Sequence, residues 1–88
     1  MRILFVMDPP SPVIVDEDTT FAFMLAAQAR GHRIDYCRVQ DVWLDGDRPV
    51  ARLRQASVKR DPEEPLTLGE PEEVALADVD VIFVRKDP

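Results

Sequence analysis

Glycine is scarce in this sequence: Gly31, Gly46 and Gly69 are the only three in 88 residues. They stand too far apart to build GxGxxG or GxxxxGK[ST], so neither familiar phosphate loop is present. Histidine and cysteine are scarcer, with His32 and Cys37 alone. Metal sites of ordinary spacing need several such ligands, so no metal site is expected. No disulfide can close within the chain, which suits a reducing compartment. Cys37, beside Tyr36, reads as a small core filler, and His32 as a surface residue. Ser11 and Ser57 have no base within sequence reach, so nucleophilic catalysis has no support. Long apolar runs are missing as well. Five apolar residues separate Met1-Arg2 from Asp8, which is too few for a signal peptide. No stretch approaches the roughly 20 apolar residues of a membrane span. The expected location is the cytoplasm, with no membrane partner. Positive charge is in deficit, with 11 Lys and Arg against 17 Asp and Glu, a formal net charge of −6. A nucleic-acid partner is not expected, because releasing phosphate counterions needs a positive surface.

What is there fits one small folded domain. A chain of this length leaves no room for two, and it buries roughly 60–65% of its unfolded surface. The core is thin, with little area left to wall off a deep pocket. The hydrophobic fraction of 45% is that of a globular chain. Charge is unevenly spread. Eight of the eleven Lys and Arg lie between Arg30 and Arg60, and residues 61–80 hold eight acids and no base. Two solvated faces of opposite sign account for this. The alternative is a basic stretch that meets an acidic partner surface or an anion.

The apolar run Ile3–Met7 suits a strand buried on both faces of a parallel sheet. Asp8-Pro9-Pro10-Ser11-Pro12 then carries the chain out of the sheet. Phe21 to Arg30 reads as a well-buried helix, capped by Asp18 or Thr19 and stopped by Gly31. Phe21, Met24, Leu25 and Gln28 share one face; Phe23, Ala26 and Ala27 lie on an adjacent one. His32–Val39 is a second strand, completing a right-handed βαβ unit. Asp41–Leu44 and Pro49–Ala56 flank Asp45-Gly46-Asp47 as a β-hairpin. Its alternation leaves Arg52 and Arg54 on one exposed basic face. Trp43 reads as a packing anchor, or as an inter-subunit contact. Asp61–Pro71, rich in proline and acid, reads as loop, and Glu72–Asp78 has room for one helical turn. Val79–Val84 is a third buried strand, followed at once by Arg85-Lys86-Asp87-Pro88. That ending reads as a cut edge within a longer protein.

Ligands of open α/β sheets sit outside the carboxyl ends of the parallel strands. One such end carries Asp8-Pro9-Pro10, and another Arg85-Lys86-Asp87-Pro88. Both belong on one edge, so the candidate site residues are Asp8, Arg85, Lys86 and Asp87. A guanidinium beside an ammonium suits a carboxylate or phosphate. An internal Asp8–Arg85 ion pair is the plainer alternative.

Four stretches together resemble the N-terminal domain of bacterial glutathione synthetases. They are Ile3-Leu4-Phe5-Val6-Met7-Asp8-Pro9, then Asp18-Thr19-Thr20-Phe21 through Arg30-Gly31-His32, the Asp41-Val42-Trp43-Leu44 hairpin with Gly46, and Ala77 to Pro88. The resemblance spans nearly the whole chain; residues 60–72 carry it least. It implies an α/β, Rossmann-like pre-ATP-grasp domain over residues 1–88, with a small mainly parallel sheet, a βαβ unit and an added β-hairpin. It also implies a parent ligase that joins γ-glutamylcysteine to glycine with ATP and Mg2+, through an acyl phosphate. In that family the nucleotide and metal belong to later ATP-grasp domains, the implied partners of this one. The chain itself is then expected to bind no cofactor, to hold no catalytic residue, and to be inactive alone. Arg85 and Lys86 become anion contacts, and Asp8 and Asp87 orient them or meet an amine. The rival readings are a stand-alone α/β module, perhaps a homo-oligomer through its hairpin, and the equivalent domain of another ATP-grasp ligase.

Overall fold

A computed structural model describes residues 1–7, 19–61, 63–64 and 66–85. Strand β1 (Arg2–Val6) is followed by helix α1 (Thr19–Ala29) and strand β2 (Arg33–Cys37). A 3-10 turn at Val39–Asp41 leads to β3 (Val42–Asp45), β4 (Arg48–Val58) and β5 (Leu66–Ala75). A second 3-10 turn, Leu76–Asp78, precedes β6 (Val81–Val84). One sheet holds all six strands in the order β3-β4-β2-β1-β6, with β5 on β4.

The βαβ unit forms as the sequence indicates. β1 pairs in parallel with β2 on one side and with β6 on the other. The antiparallel part is larger than one added hairpin, since β4 pairs antiparallel with β2, β3 and β5. Ala51 faces both Val42 and Val74, and Arg54 faces both Tyr36 and Pro71. Thus β5 runs along one edge of β4, while β2 and β3 divide the other.

Two glycines set the chain's turns. Gly31 has φ +82 and ends α1. The His32 N–H donates to the Ala27 carbonyl at 3.1 Å, and the Gly31 N–H to that of Gln28 at 3.0 Å. This is a Schellman closure, and it satisfies two carbonyls the helix end leaves open. Gly46 has φ +67. Because Asp45 pairs with Arg48, the two loop residues are Gly46 and Asp47, one position later than an Asp-Gly loop. Positive φ at the first loop residue alone matches a type II′ turn.

The sheet buries apolar side chains on both faces. On the helix side Phe5, Met7, Ile34 and Tyr36 meet Phe21 and Met24 of α1 and Ala56 and Val58 of β4. Each large side chain there contributes roughly 2 kcal/mol. Gln28 ties the helix to the end of β4. Its Nε2 donates to the Val58 carbonyl at 2.8 Å, and its Oε1 accepts from the Val58 N–H at 2.8 Å. On the other face Leu4, Val6 and Cys37 meet Ala51 and Leu53. Cys37 is core filler, as its sequence setting suggests.

Several expectations are corrected. Residues 66–71 are strand rather than loop. Leu66 and Leu68 alternate with Thr67 to pack against the helix-side core. Pro71 is tolerated because β5 is an edge strand with a register shift between its pairings to Arg54 and Ala56. The helical turn expected over 72–78 is strand to Ala75, then the 3-10 turn. The helix is less buried than expected: Phe21 and Met24 are inside, but Phe23 is 52% exposed. The last strand is no buried strand within this chain. It forms the sheet's outer edge, with Val81, Ile82 and Val84 exposed. Trp43 is 40% exposed on a hairpin strand with no fully buried residue, so it does not anchor the core. His32 is half-buried and lines an open groove, at the surface as expected. The cap expected from Asp18 lies outside the described residues.

Candidate functional site

Register brings the carboxyl ends of the three parallel strands level. Val6 of β1 lies opposite both Cys37 of β2 and Val84 of β6. One residue further, the Met7 N–H donates to the Cys37 carbonyl at 3.1 Å, and the Arg85 N–H to the Val6 carbonyl at 2.9 Å. Met7 and Arg85 therefore stand level with one another at one edge. Of the four candidates, only Arg85 falls among the described residues. It is half-buried and fixed by that backbone bond. Asp8, Lys86 and Asp87 lie outside the described residues.

β2 is parallel too, so its carboxyl end belongs to the same edge. That end carries Arg38, which the sequence reading passed over although the same rule applied to it. The Arg38 N–H donates to Asp41 Oδ2 at 3.2 Å, and its Nε approaches the same oxygen at 3.4 Å. Beside it Arg52 and Arg54 of β4 line one cleft of about 410 Å3 together with Arg38, Asp41, Tyr36 and Cys37. Arg54 is held in place there, since its Nε donates to the Gly69 carbonyl at 2.6 Å. The basic face read from the 52/54 alternation is thus one wall of this cleft. Burial, helped by nearby Asp41, pushes the Cys37 thiol up to about 11, so it stays neutral at physiological pH and is no nucleophile.

A charged network at the opposite edge was not foreseen. Asp35 is completely buried in β2. Its Oδ2 accepts from Arg2 Nε at 2.8 Å and its Oδ1 from Arg33 Nε at 3.1 Å. Both guanidiniums also reach Glu72 Oε1, at 2.7 and 3.0 Å. Burial works against the Arg2 charge, but the bonds to Asp35 and Glu72 outweigh it and raise its pKa. The hydrogen bond from Arg2 holds Glu72 below the ordinary carboxylate range; burial opposes this and Arg33 adds to it. Two carboxylates and two guanidiniums neutralise one another at the amino ends of β1 and β2. That edge is remote from the strand ends where ligands sit, so the network clamps the sheet and is not a site. Its sequence signal is Asp35, a lone acid between apolar neighbours in the second strand.

Among the described residues no group of three or more His, Cys, Asp or Glu could hold a metal ion. No helix among them is long and apolar enough to cross a membrane. The arrangement is therefore a cationic sheet edge whose chemistry suits an anion.

The chain matches the family model described as prokaryotic glutathione synthetase, N-terminal domain, over residues 1–88. It is 42% identical over 88 residues to a glutathione synthetase of Xanthomonas axonopodis pv. citri, 40% to one of Pseudomonas putida, and 38% to one of Yersinia pestis. Each match covers 100% of this chain and 28% of the relative. The chain thus spans little more than a quarter of the length of these relatives.

Proposed function

The chain belongs to the prokaryotic glutathione synthetase N-terminal domain family, and from that membership we propose that it is the substrate-side domain of an ATP-dependent carboxylate–amine ligase. In this reading residues 1–88 form one wall of the substrate cleft in a longer protein. The parent enzyme transfers the γ-phosphoryl group of ATP to the C-terminal carboxylate of γ-glutamylcysteine. The glycine amine then attacks the acyl phosphate; the amide bond forms, and phosphate leaves. ATP and Mg2+ are held by ATP-grasp domains elsewhere in that protein. This chain's part is binding and orientation. Arg85 and Lys86 hold a substrate carboxylate or the developing acyl phosphate, where fixed cations stabilise gathering negative charge. Asp8 and Asp87 orient those cations or meet an amine.

The observation that carries the reading is the level ending of β1 and β6. It sets Met7 level with Arg85 at that edge, which supports a site there. Arg85→Ala in the full-length enzyme is expected to lower kcat/KM for γ-glutamylcysteine by about 10- to 100-fold, the loss of one charge-assisted contact. Unaltered KM and kcat in a folded variant would sink the anion role. The 88-residue chain alone is expected to make no glutathione, and any glutathione formation by it would refute the division of labour.

The rest of the ligase also needs a surface to pack on. An apolar groove of about 390 Å3 lies beside Phe23, Val81 and Phe83 on the helix side of β6. Another of about 240 Å3 lies beside Leu76, Ile82 and Val84 on the other side. Both suit further segments of the same longer protein. Leu44, 68% exposed beside Trp43, favours a second role for the hairpin as a contact between copies.

A further inference from the structure

We propose that Arg38, Arg52 and Arg54 form a binding site for a small dianion, in the cleft between the carboxyl end of β2 and the middle of β4. The three guanidiniums arrive from two elements and line one space of about 410 Å3. The only carboxylate among the described lining residues is Asp41, so the cleft carries a net charge of two positives in a chain whose total is −6. Glu73 stands opposite Arg52 in the β4–β5 register but is not among the residues that line the cleft. Glu72 is drawn to Arg2 and Arg33 at the other edge. Asp41 offsets one of the three positive charges; the remaining two repel, and a bound dianion removes that cost.

The cleft is also built to receive a ligand. On the helix-side face of β4, Ala56 and Val58 are buried in the core with α1, while Arg52 and Arg54 are exposed. Arg54 is pinned through Nε to the Gly69 carbonyl, and Arg38 is held over Asp41. Guanidinium forks fixed in this way lose little freedom on meeting a carboxylate or phosphate. Leu68 and Pro71 supply an apolar wall, where charge–charge attraction is less screened than in open water. The neutral Cys37 thiol adds no competing charge. The ligand class is a small molecule with two negative charges close together, as phosphates or as paired carboxylates.

The test follows the arginine side-chain Nε–Hε resonances of the full-length protein during separate titrations with inorganic phosphate, pyrophosphate and glutarate. The expected result is saturable shifts of Arg38, Arg52 and Arg54, with Arg30 and Arg48 unmoved. A response to the phosphates alone, or to glutarate alone, identifies the headgroup within the class. Arg52→Glu, at an exposed position, is expected to weaken binding by about tenfold or more, and Arg54→Lys to weaken it less. Because the readout is residue-specific, the result is independent of ligase activity. No saturable shift with any probe, equal shifts at Arg30 and Arg48, or undiminished affinity in a folded Arg52→Glu variant would each overturn the site.

Discussion

The residue with most at stake is Asp35. Its carboxylate is fully buried, and its stabilisation rests on Arg2 and Arg33. Removing one member of a buried ionic group leaves the others uncompensated, which costs more than the pair gains. Asp35→Ala is therefore expected to lower stability by about 3 kcal/mol, read from the denaturant midpoint at constant m-value; a loss within error of zero would refute the clamp. Glu72 gives the network its acid sensitivity. Its pKa in the folded chain lies below the ordinary 4.5. Its contribution is thus complete above the unfolded value and disappears as pH falls through the folded one. Glu72→Gln should flatten that acid limb of the stability curve. Cys37 works in the opposite direction. Its thiol is held at about 11 against an ordinary 9.0, so the unfolded chain ionises first. Stability is full below about pH 9 and falls as pH rises towards 11, and Cys37→Ala should remove that alkaline loss. At neutral pH the buried thiol should react with a disulfide reagent only as fast as the chain opens.

At the scale of elements, the two turns that glycine permits carry the topology. Gly31 at φ +82 closes α1 and delivers the chain to β2. No heavy atom lies within 4 Å of where a Cβ would stand, so the cost of a side chain there is conformational only. Gly31→Ala is expected to cost about 1 kcal/mol, measured by thermal or denaturant unfolding. These elements were legible because their signals are local. An apolar run, a helix ending in Arg-Gly and a hairpin turn at Gly46 each specify a short backbone path, though the turn falls one residue later than an Asp-Gly loop would. β5 was not legible, because its reason for being a strand is β4, not its own composition. Pro71 and the surrounding acids read as loop until an edge strand with a register shift accommodates them. The exposure of Phe23 was hidden for the same reason. Helical spacing shows which residues share a face, not whether a second layer covers it. The candidate site was half legible. Strand ends could be read wherever a parallel strand was recognised, and this brought out Arg85. The joining of Arg38 to Arg52 and Arg54 needed the antiparallel register between β2 and β4.

At the scale of the whole molecule, the sheet is asymmetric. One side of β1 continues into β2 and the β4 ribbon, which bury most of the core. The other side ends at β6, where Val84 is 63% exposed and apolar grooves flank the strand on both faces. An open apolar edge strand is a template for pairing unless something covers it. In a relative more than three times as long, the additional chain is available to cover it. Two outcomes should then differ between the short and the long protein. The 88-residue chain alone should elute from a sizing column at volumes that shrink with concentration, and Val84→Lys should restore a monomer by placing charge on the edge. In the full-length protein the same Val84→Lys change should instead destabilise, by about 2 kcal/mol, because the ammonium is forced into a packed interface. Those opposite signs come from a single substitution, so general stickiness of the chain does not explain both. A short chain that stays monomeric at every concentration, with a full-length Val84→Lys variant as stable as its parent, would mean that β6 remains a solvent edge in both.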